Sequence, residues 1–407
     1  MTSPLTGARV VVVNWRDLDH SLAGGAEIYA WQYALALAEG GADVRFLTAR
    51  ERGQSRHDAR DGIAVRRVGG GALGFYVLAL LWLLRHRRQV DAVIDPAGGL
   101  PSFSPLVNRR STAALLIVHH VHQAQFDVHF PAPVATLGRW LERVAMRRVY
   151  RHQTTVAVSR STEAEMRSQL GWTGDIRILE NGADLPPYDA ARAVEKDPDR
   201  IVVLGRLVTH KRVDLVLGAV AALADRPELA GRQLTVDVVG QGPERERLVS
   251  RATALDLIDV VTFHGFAPAE RKDELLARAT VHVCGSDAEG WGQAVIDAAG
   301  WGVPTVARDV PGLRDSIRDG ESGWLVDDDE DPRVVVERLA EALAHALVAG
   351  ADPAARVRQA ESCLAWARQF DWSQMRSHAR DLTIEMLLGR APASPDRHHP
   401  RDARVAV

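Results

Sequence analysis

Arg206 and Lys211 lie in Gly205-Arg206-Leu207-Val208-Thr209-His210-Lys211, a loop that follows the apolar run Ile201 to Leu204 and leads into a helical pattern from about Val213. Open α/β sheets bind ligands at such strand ends, and two cations beside free helix-start amides make a diphosphate site. One phosphate charge ~4 Å from either cation is worth roughly 4 kcal/mol at an effective dielectric near 20, before desolvation is subtracted. The bland reading is a pair of surface cations.

Two further loops have matching chemistry. Gly240-Gln241-Gly242-Pro243-Glu244 also follows a strand and precedes a helix, which lets backbone approach a nucleotide, although Gly-x-Gly alone is weak evidence. Ser286 to Asp297 reads Ser-Asp-Ala-Glu-Gly-Trp-Gly-Gln-Ala-Val-Ile-Asp. It places Glu289 before a helix and Asp297 one or two turns inside it, where carboxylates accept hydrogen bonds from sugar hydroxyls. A helix-start Glu plus a solvated Asp is the plain alternative.

In the first half, Gly24-Gly25-Ala26-Glu27 opens a helix through about Ala38, again a place for an anion. Asp17-Leu18-Asp19 superficially matches an Asp-x-Asp metal motif, but a loop before a phosphate-binding turn is the preferred reading. The strand Ala114 to Val118 ends in His119-His120-Val121-His122. His119 is read as a sugar contact, with metal second, since neighbouring strand residues point opposite ways.

The elements that must position these loops alternate short β-branched runs with helical patterns, the mark of parallel α/β sheets. Strands are expected at Arg9–Asn14, Asp43–Thr48, Asp91–Asp95, Ala114–Val118, Thr154–Val158 and Ile176–Leu179, then at Ile201–Leu204, Leu234–Val239, Val261–His264, Val281–Cys284, Thr305–Ala307 and Trp324–Val326. Between the two series the Asp-, Pro- and Ala-rich stretch Ala183 to Arg200 reads as a linker. At 407 residues the chain is too long for one ordinary core. Two Rossmann-like halves are expected, with a last helix near Ser373 to Leu388 and a disordered tail over 391–407.

The net charge of −3 gives no whole-molecule bias toward nucleic acid. Two distant cysteines, Cys284 and Cys363, argue against a disulfide framework and fit a reducing cytoplasm. Met1 to Gly7 has no basic start before an apolar core, so no secretory signal is expected, and the apolar stretch Ala72 to Leu84 is too short to cross a bilayer. That stretch runs into Arg85, His86, Arg87 and Arg88, while Arg139, Arg143, Arg147 and Arg151 form a basic stripe at four-residue spacing. Both could rest on anionic lipid at the inner face of the cell membrane, or be solvated faces and helix ends.

The set resembles the large GT-B family four of retaining glycosyltransferases. The matching pieces are Gly24-Gly25-Ala26-Glu27, His119, Val156-Ala157-Val158-Ser159, Glu180 to Asp184, Gly205-Arg206-Leu207 with Lys211, Gly240-Gln241-Gly242-Pro243, His264-Gly265-Phe266 and Glu289-Gly290-Trp291-Gly292, in family order. The resemblance implies an acceptor-binding half over 1–185, with a helix over 371–390 packing back on it, and a donor-binding half over 186–370. It implies that Arg206 and Lys211 hold the donor diphosphate, that Glu289 and His119 hold its sugar, and that the Gly25 region closes from across the cleft. Gly24, Gly240, Gly242, Gly265, Phe266, Gly290, Trp291, Gly292, Gln293 and Ala294 are expected around the donor. The second family carboxylate, usually Glu, is here Asp297, one methylene shorter. The implied reaction moves a sugar from a nucleoside diphosphate to a hydroxyl of a glycolipid, envelope glycan or small metabolite, with retention and without a required metal or other cofactor. A GT-B epimerase, a phosphorylase or a silent sugar-nucleotide binder is the alternative. Dinucleotide oxidoreduction is disfavoured, because neither half has a full Gly-x-Gly-x-x-Gly after its first strand.

Overall fold

The computed structural model describes residues 3–21, 23–123, 126 and 131–389. The tail expected over 391–407 lies outside them. Elements are numbered in chain order. The first half holds β1 (Arg9–Val13), α1 (Gly25–Glu39), β2 (Asp43–Thr48), β3 (His57–Arg60), β4 (Ile63–Arg67), α2 (Ala72–His86), β5 (Ala92–Ala97), β6 (Ala113–Val118), α3 (Ala132–Trp140), β7 (Thr154–Ala157), α4 (Arg160–Leu170) and β8 (Arg177–Ile178). The helix begun by α3 passes through a π-helical stretch, Leu141–Met146, before a final turn at Arg147–Tyr150.

The second half holds α5 (Tyr188–Ala193), β9 (Arg200–Leu204), α6 (Val213–Ala222), β10 (Thr235–Val239), α7 (Arg245–Ala254), β11 (Val261–Gly265), α8 (Ala269–Arg278), β12 (Val281–Cys284), α9 (Gln293–Gly300), β13 (Thr305–Arg308), α10 (Leu313–Ser316), β14 (Gly323–Val326), α11 (Pro332–Ala351) and α12 (Pro353–Ala367). A last helix, α13 (Trp372–Leu387), follows.

Two sheets result, in the orders β3-β4-β2-β1-β5-β6-β7-β8 and β11-β10-β9-β12-β13-β14. Among the described residues every strand pairing is parallel except the β3–β4 hairpin. Helices on both faces bury strands such as β1 and β6, which accordingly read as continuous runs of Val, Leu and Ile. Each half is a Rossmann-like unit, and the pair is a GT-B architecture. All twelve expected strands are present; the polar β3 and the β4 strand were not anticipated. The stretch expected to be a plain linker contains α5.

α13 returns to the first half. Its N-terminus is capped by Asp371, whose carboxylate accepts from the Ser373 amide at 2.7 Å, and Tyr33 of α1 donates to the Ala379 carbonyl at 3.2 Å. Beside this crossing, the Ala183 amide bonds the Phe370 carbonyl at 2.7 Å.

Candidate active site

In the second sheet β9 lies between β10 and β12, so chain order reverses between β9 and β12. That switch point opens a crevice at the C-terminal strand ends. The loop after β9 delivers Arg206 and Lys211, and the loop after β12 delivers Glu289. Lys211 and Glu289 form an ion pair, with side chains only 20% and 15% exposed. The Ser286 hydroxyl donates to Glu289 Oε1 at 2.7 Å, and the Asp287 amide binds the His210 carbonyl at 2.8 Å, so the two loops hold each other.

Burial pushes the Glu289 carboxyl up, but the Lys211 charge, its hydrogen bond and the Ser286 hydroxyl together hold it below its ordinary value. Burial likewise lowers Lys211, and Glu289 outweighs it, keeping the ammonium charged. Arg206 is exposed beside them. The loop after β10 packs against this one: the Gly240 amide bonds the Gly265 carbonyl at 2.8 Å and the Leu207 amide bonds the Gln241 carbonyl at 2.9 Å. A Cβ on Gly240 would overlap the Gly205 carbonyl, and one on Gly242 would overlap that of Leu207. These two glycines are needed for loop-on-loop packing. Phe266, after β11, is a fully formed exposed aromatic face at 73% exposure.

Gly292 caps α9, which starts at Gln293 and carries Ala294 in its first turn. Trp291 is buried and meets Phe370 edge-on with centroids 4.8 Å apart, so its ring belongs to the core under the site. Gln293 Nε2 donates to the Gly182 carbonyl at 2.9 Å and to Asp297 Oδ1 at 3.3 Å, tying α9 to the chain's crossing. Asp297 also binds Lys272 of α8 at 3.2 Å. Nothing in the sequence singled out Lys272, because its partner is 25 positions away.

From the first half, His119 stands at the end of β6 and meets this loop. A Cβ on Gly290 would overlap the His119 carbonyl, and Thr162 of α4 donates to that same carbonyl at 3.1 Å. Asp315 of α10 caps α4 from the opposite half, accepting from the Ser161 amide at 2.8 Å. Burial, with a smaller contribution from His122, pushes the His119 imidazole down to about 4, so it is neutral at physiological pH. Its Nε2 is buried without a hydrogen-bond partner among the described residues. A buried neutral imidazole with an unused nitrogen is suited to a ligand hydroxyl. Tyr29, one turn into α1, packs edge-on against His119 at 5.1 Å. At the start of the same helix the Glu27 carboxylate accepts from the Gly24 amide at 2.8 Å.

Asp17 and Asp19 are used otherwise: Arg67 binds Asp17 at 2.6 Å and Asp19 at 2.8 Å. Among the described residues no group of three or more His, Cys, Asp or Glu side chains could hold a metal ion. The basic stripe is partly internal, since Arg147 donates to the Leu170 and Gly171 carbonyls at 3.2 and 3.0 Å. Residues that sequence reading missed include Glu142, a buried carboxylate in the π-helical stretch. It accepts from the His122 amide and from Gln123 Nε2, each at 2.7 Å, and so fixes the turn after His119.

The fold and this cleft define a GT-B glycosyltransferase. Two family models match in tandem: one described as Glycosyltransferase Family 4 over residues 23–186 and one as Glycosyl transferases group 1 over residues 187–359. A D-inositol 3-phosphate glycosyltransferase of Acidothermus cellulolyticus is 28% identical over 420 residues, covering 90% of this chain and 85% of that protein. A GDP-mannose-dependent alpha-(1-6)-phosphatidylinositol monomannoside mannosyltransferase of Mycolicibacterium smegmatis is 30% identical over 315 residues, covering 73% and 76%. Among solved structures, sucrose-phosphate synthase from Thermosynechococcus elongatus superposes with a TM-score of 0.75 at 20% identity, covering 94% of this chain and 100% of that one. Anabaena Alr3699/HepE in complex with UDP and glucose gives 0.68 at 18%, covering 92% and 99%. The chain belongs to the family 4 glycosyltransferases, enzymes that move a sugar from a nucleoside-diphosphate donor to an acceptor.

Proposed function

We propose that the chain is a retaining glycosyltransferase acting on a hydroxyl acceptor, with residues 1–185 binding the acceptor, residues 186–370 binding the donor, and the segment from 371 returning to the first half. The observation that carries this reading is the Lys211–Glu289 pair at the switch point of the second sheet, facing His119 through the Gly290 contact.

In this reading Arg206 and Lys211 hold the donor diphosphate, whose negative charge grows as the anomeric bond breaks. Glu289, kept ionised, accepts from one sugar hydroxyl, and His119 Nε2 pairs with another. The α1 start at Gly24 and Gly25 approaches the diphosphate from the other side, Phe266 offers its face to the base, and Asp297 accepts from the ribose. Gly265, Gly290, Gly292, Gln293 and Ala294 shape the same loops. The acceptor oxygen bonds to the anomeric carbon on the face the diphosphate leaves, and a phosphate oxygen takes the hydroxyl proton, so no separate protein base is required.

The test is turnover of a panel of nucleoside-diphosphate sugars with candidate hydroxyl acceptors, following nucleoside-diphosphate release and the anomeric configuration of the product by NMR. Release with the donor's configuration kept is expected. An inverted product, a requirement for orthophosphate, or an epimerised sugar without transfer would each replace this reading.

A further inference from the structure

We infer that the outward face of α2 docks the first half on an anionic lipid bilayer. This goes beyond sugar transfer and rests on separate residues. α2 buries Phe75, Ala79 and Leu83 in a cluster with Val11, Val13, Leu47 and Val93. Its other side leaves Val77, Leu78, Leu81 and Leu84 exposed by 53%, 43%, 55% and 42%. Steps of one, three and three residues keep these four on one stripe of a 3.6-residue helix. An outward stripe on a globular protein is normally polar, and here Val77 to Leu84 contains no polar residue other than the Trp82 indole.

A loop anchored in the same cluster adds a further exposed leucine. Leu106 is 67% exposed, while Val107 packs into the cluster beneath α2 and Thr112 donates to the Val90 carbonyl at 3.1 Å. A stripe of exposed apolar side chains along one helix face marks an interaction site.

Charge selects the occupant. Arg85, Arg87 and Arg88 at the end of α2, with Arg109 and Arg110 after Leu106, are all exposed. None of the five forms an ion pair among the described residues, whereas Arg9, Arg67, Arg200 and Arg308 all do. The sequence has no Asp or Glu between Gly62 and Val90, nor between Pro96 and Phe126. A second copy docking by the same face would bring two sets of unpaired guanidinium groups together. An anionic bilayer instead accepts the leucines at its acyl boundary and meets the guanidinium groups with phosphate oxygens. No helix among the described residues is long and apolar enough to cross a membrane, so α2 would lie in the interface. Tyr76 of α2 donates to the Leu100 carbonyl at 2.7 Å, which links the docked helix to the loop after β5 on the cleft side of the sheet.

Flotation with vesicles of phosphatidylcholine alone, and of phosphatidylcholine with phosphatidylglycerol, tests this at physiological salt. The wild-type chain is expected to favour the anionic vesicles at least ~10-fold. The triple variant Arg85→Gln/Arg87→Gln/Arg88→Gln should lose on the order of 100-fold of that binding, about fivefold per arginine. Leu78→Gln/Leu81→Gln should lose on the order of tenfold or more. Circular dichroism and vesicle-free nucleoside-diphosphate release, unchanged in both variants, exclude misfolding. Equal partition into the two vesicle types, variants that float like wild type, or a dimer by light scattering that ignores vesicles would each overturn the inference. Loss of sugar transfer with flotation intact would strike the catalytic reading instead.

Discussion

The carbonyl oxygen of His119 lies against the α-carbon of Gly290 so closely that a Cβ there would overlap it. The two residues come from opposite halves, so this contact sets how near the imidazole can come to Glu289. Gly290→Ala is therefore expected to push the halves apart and lower kcat/KM roughly 100-fold, as a misplacement of about 1 Å does. Steady-state kinetics alongside thermal denaturation check this; a Tm that falls as far as the activity would place the defect in folding.

The Lys211–Glu289 pair contributes to stability in an asymmetric way. Removing one partner leaves the other charge largely buried and alone, at a cost of about 3–5 kcal/mol in well-buried cases and less here, where both side chains keep some exposure. Lys211→Met and Glu289→Leu should each lower the urea midpoint, while the double variant should recover part of the loss. Strictly additive losses would contradict the coupling.

Glu142 supports the turn after His119 by accepting from the His122 amide at 2.7 Å. Glu142→Ala orphans that part-buried amide, costing on the order of 1 kcal/mol, and should lower kcat more than it raises KM. Glu142→Gln, which keeps an acceptor oxygen, should lie between wild type and Glu142→Ala. A Glu142→Ala enzyme with wild-type kcat would show that this turn does not set the imidazole.

Acid should weaken the fold through its buried histidines. Burial holds His119 down to about 4 and His282 to about 3, both below the ordinary 6.5. The unfolded chain therefore binds more protons below pH 6.5. Their neutral forms fit the fold fully above that pH, and stability falls as pH drops toward the folded values, by roughly 1.4 kcal/mol per pH unit for each group. His119→Asn should flatten this dependence when urea unfolding is followed at neutral pH and at about pH 5. An identical pH slope in wild type and variant would refute the assignment.

Much of this was legible in the chain, and the reasons differ by residue. Strands such as β1 and β6 announce themselves because a sheet covered on both faces demands unbroken apolar runs. Arg206, Lys211 and Glu289 were visible because the loops that carry them follow such runs and enter helices. β3 escaped notice, since an edge strand of His57-Asp58-Ala59-Arg60, exposed throughout, has no buried face to pattern. Pairings at a distance were also invisible: neither Arg67 with Asp17 nor Lys272 with Asp297 leaves a local signal. Gly240 and Gly242 are expected near the donor from their loop alone, and only the packed loops reveal that close backbone contact also requires them. Trp291 stands in a donor motif, but its ring lies in the core against Phe370.

In the proposed reaction, cations at the β9 strand end stabilise the charge that develops on a departing diphosphate. Donor kcat/KM for Arg206→Ala and Lys211→Ala, measured on folded protein, tests it most directly. Losses of about 100- to 1,000-fold in each variant are expected, equivalent to roughly 3–4 kcal/mol of transition-state stabilisation. Rates within about threefold of wild type in both, a difference of well under 1 kcal/mol, would contradict it.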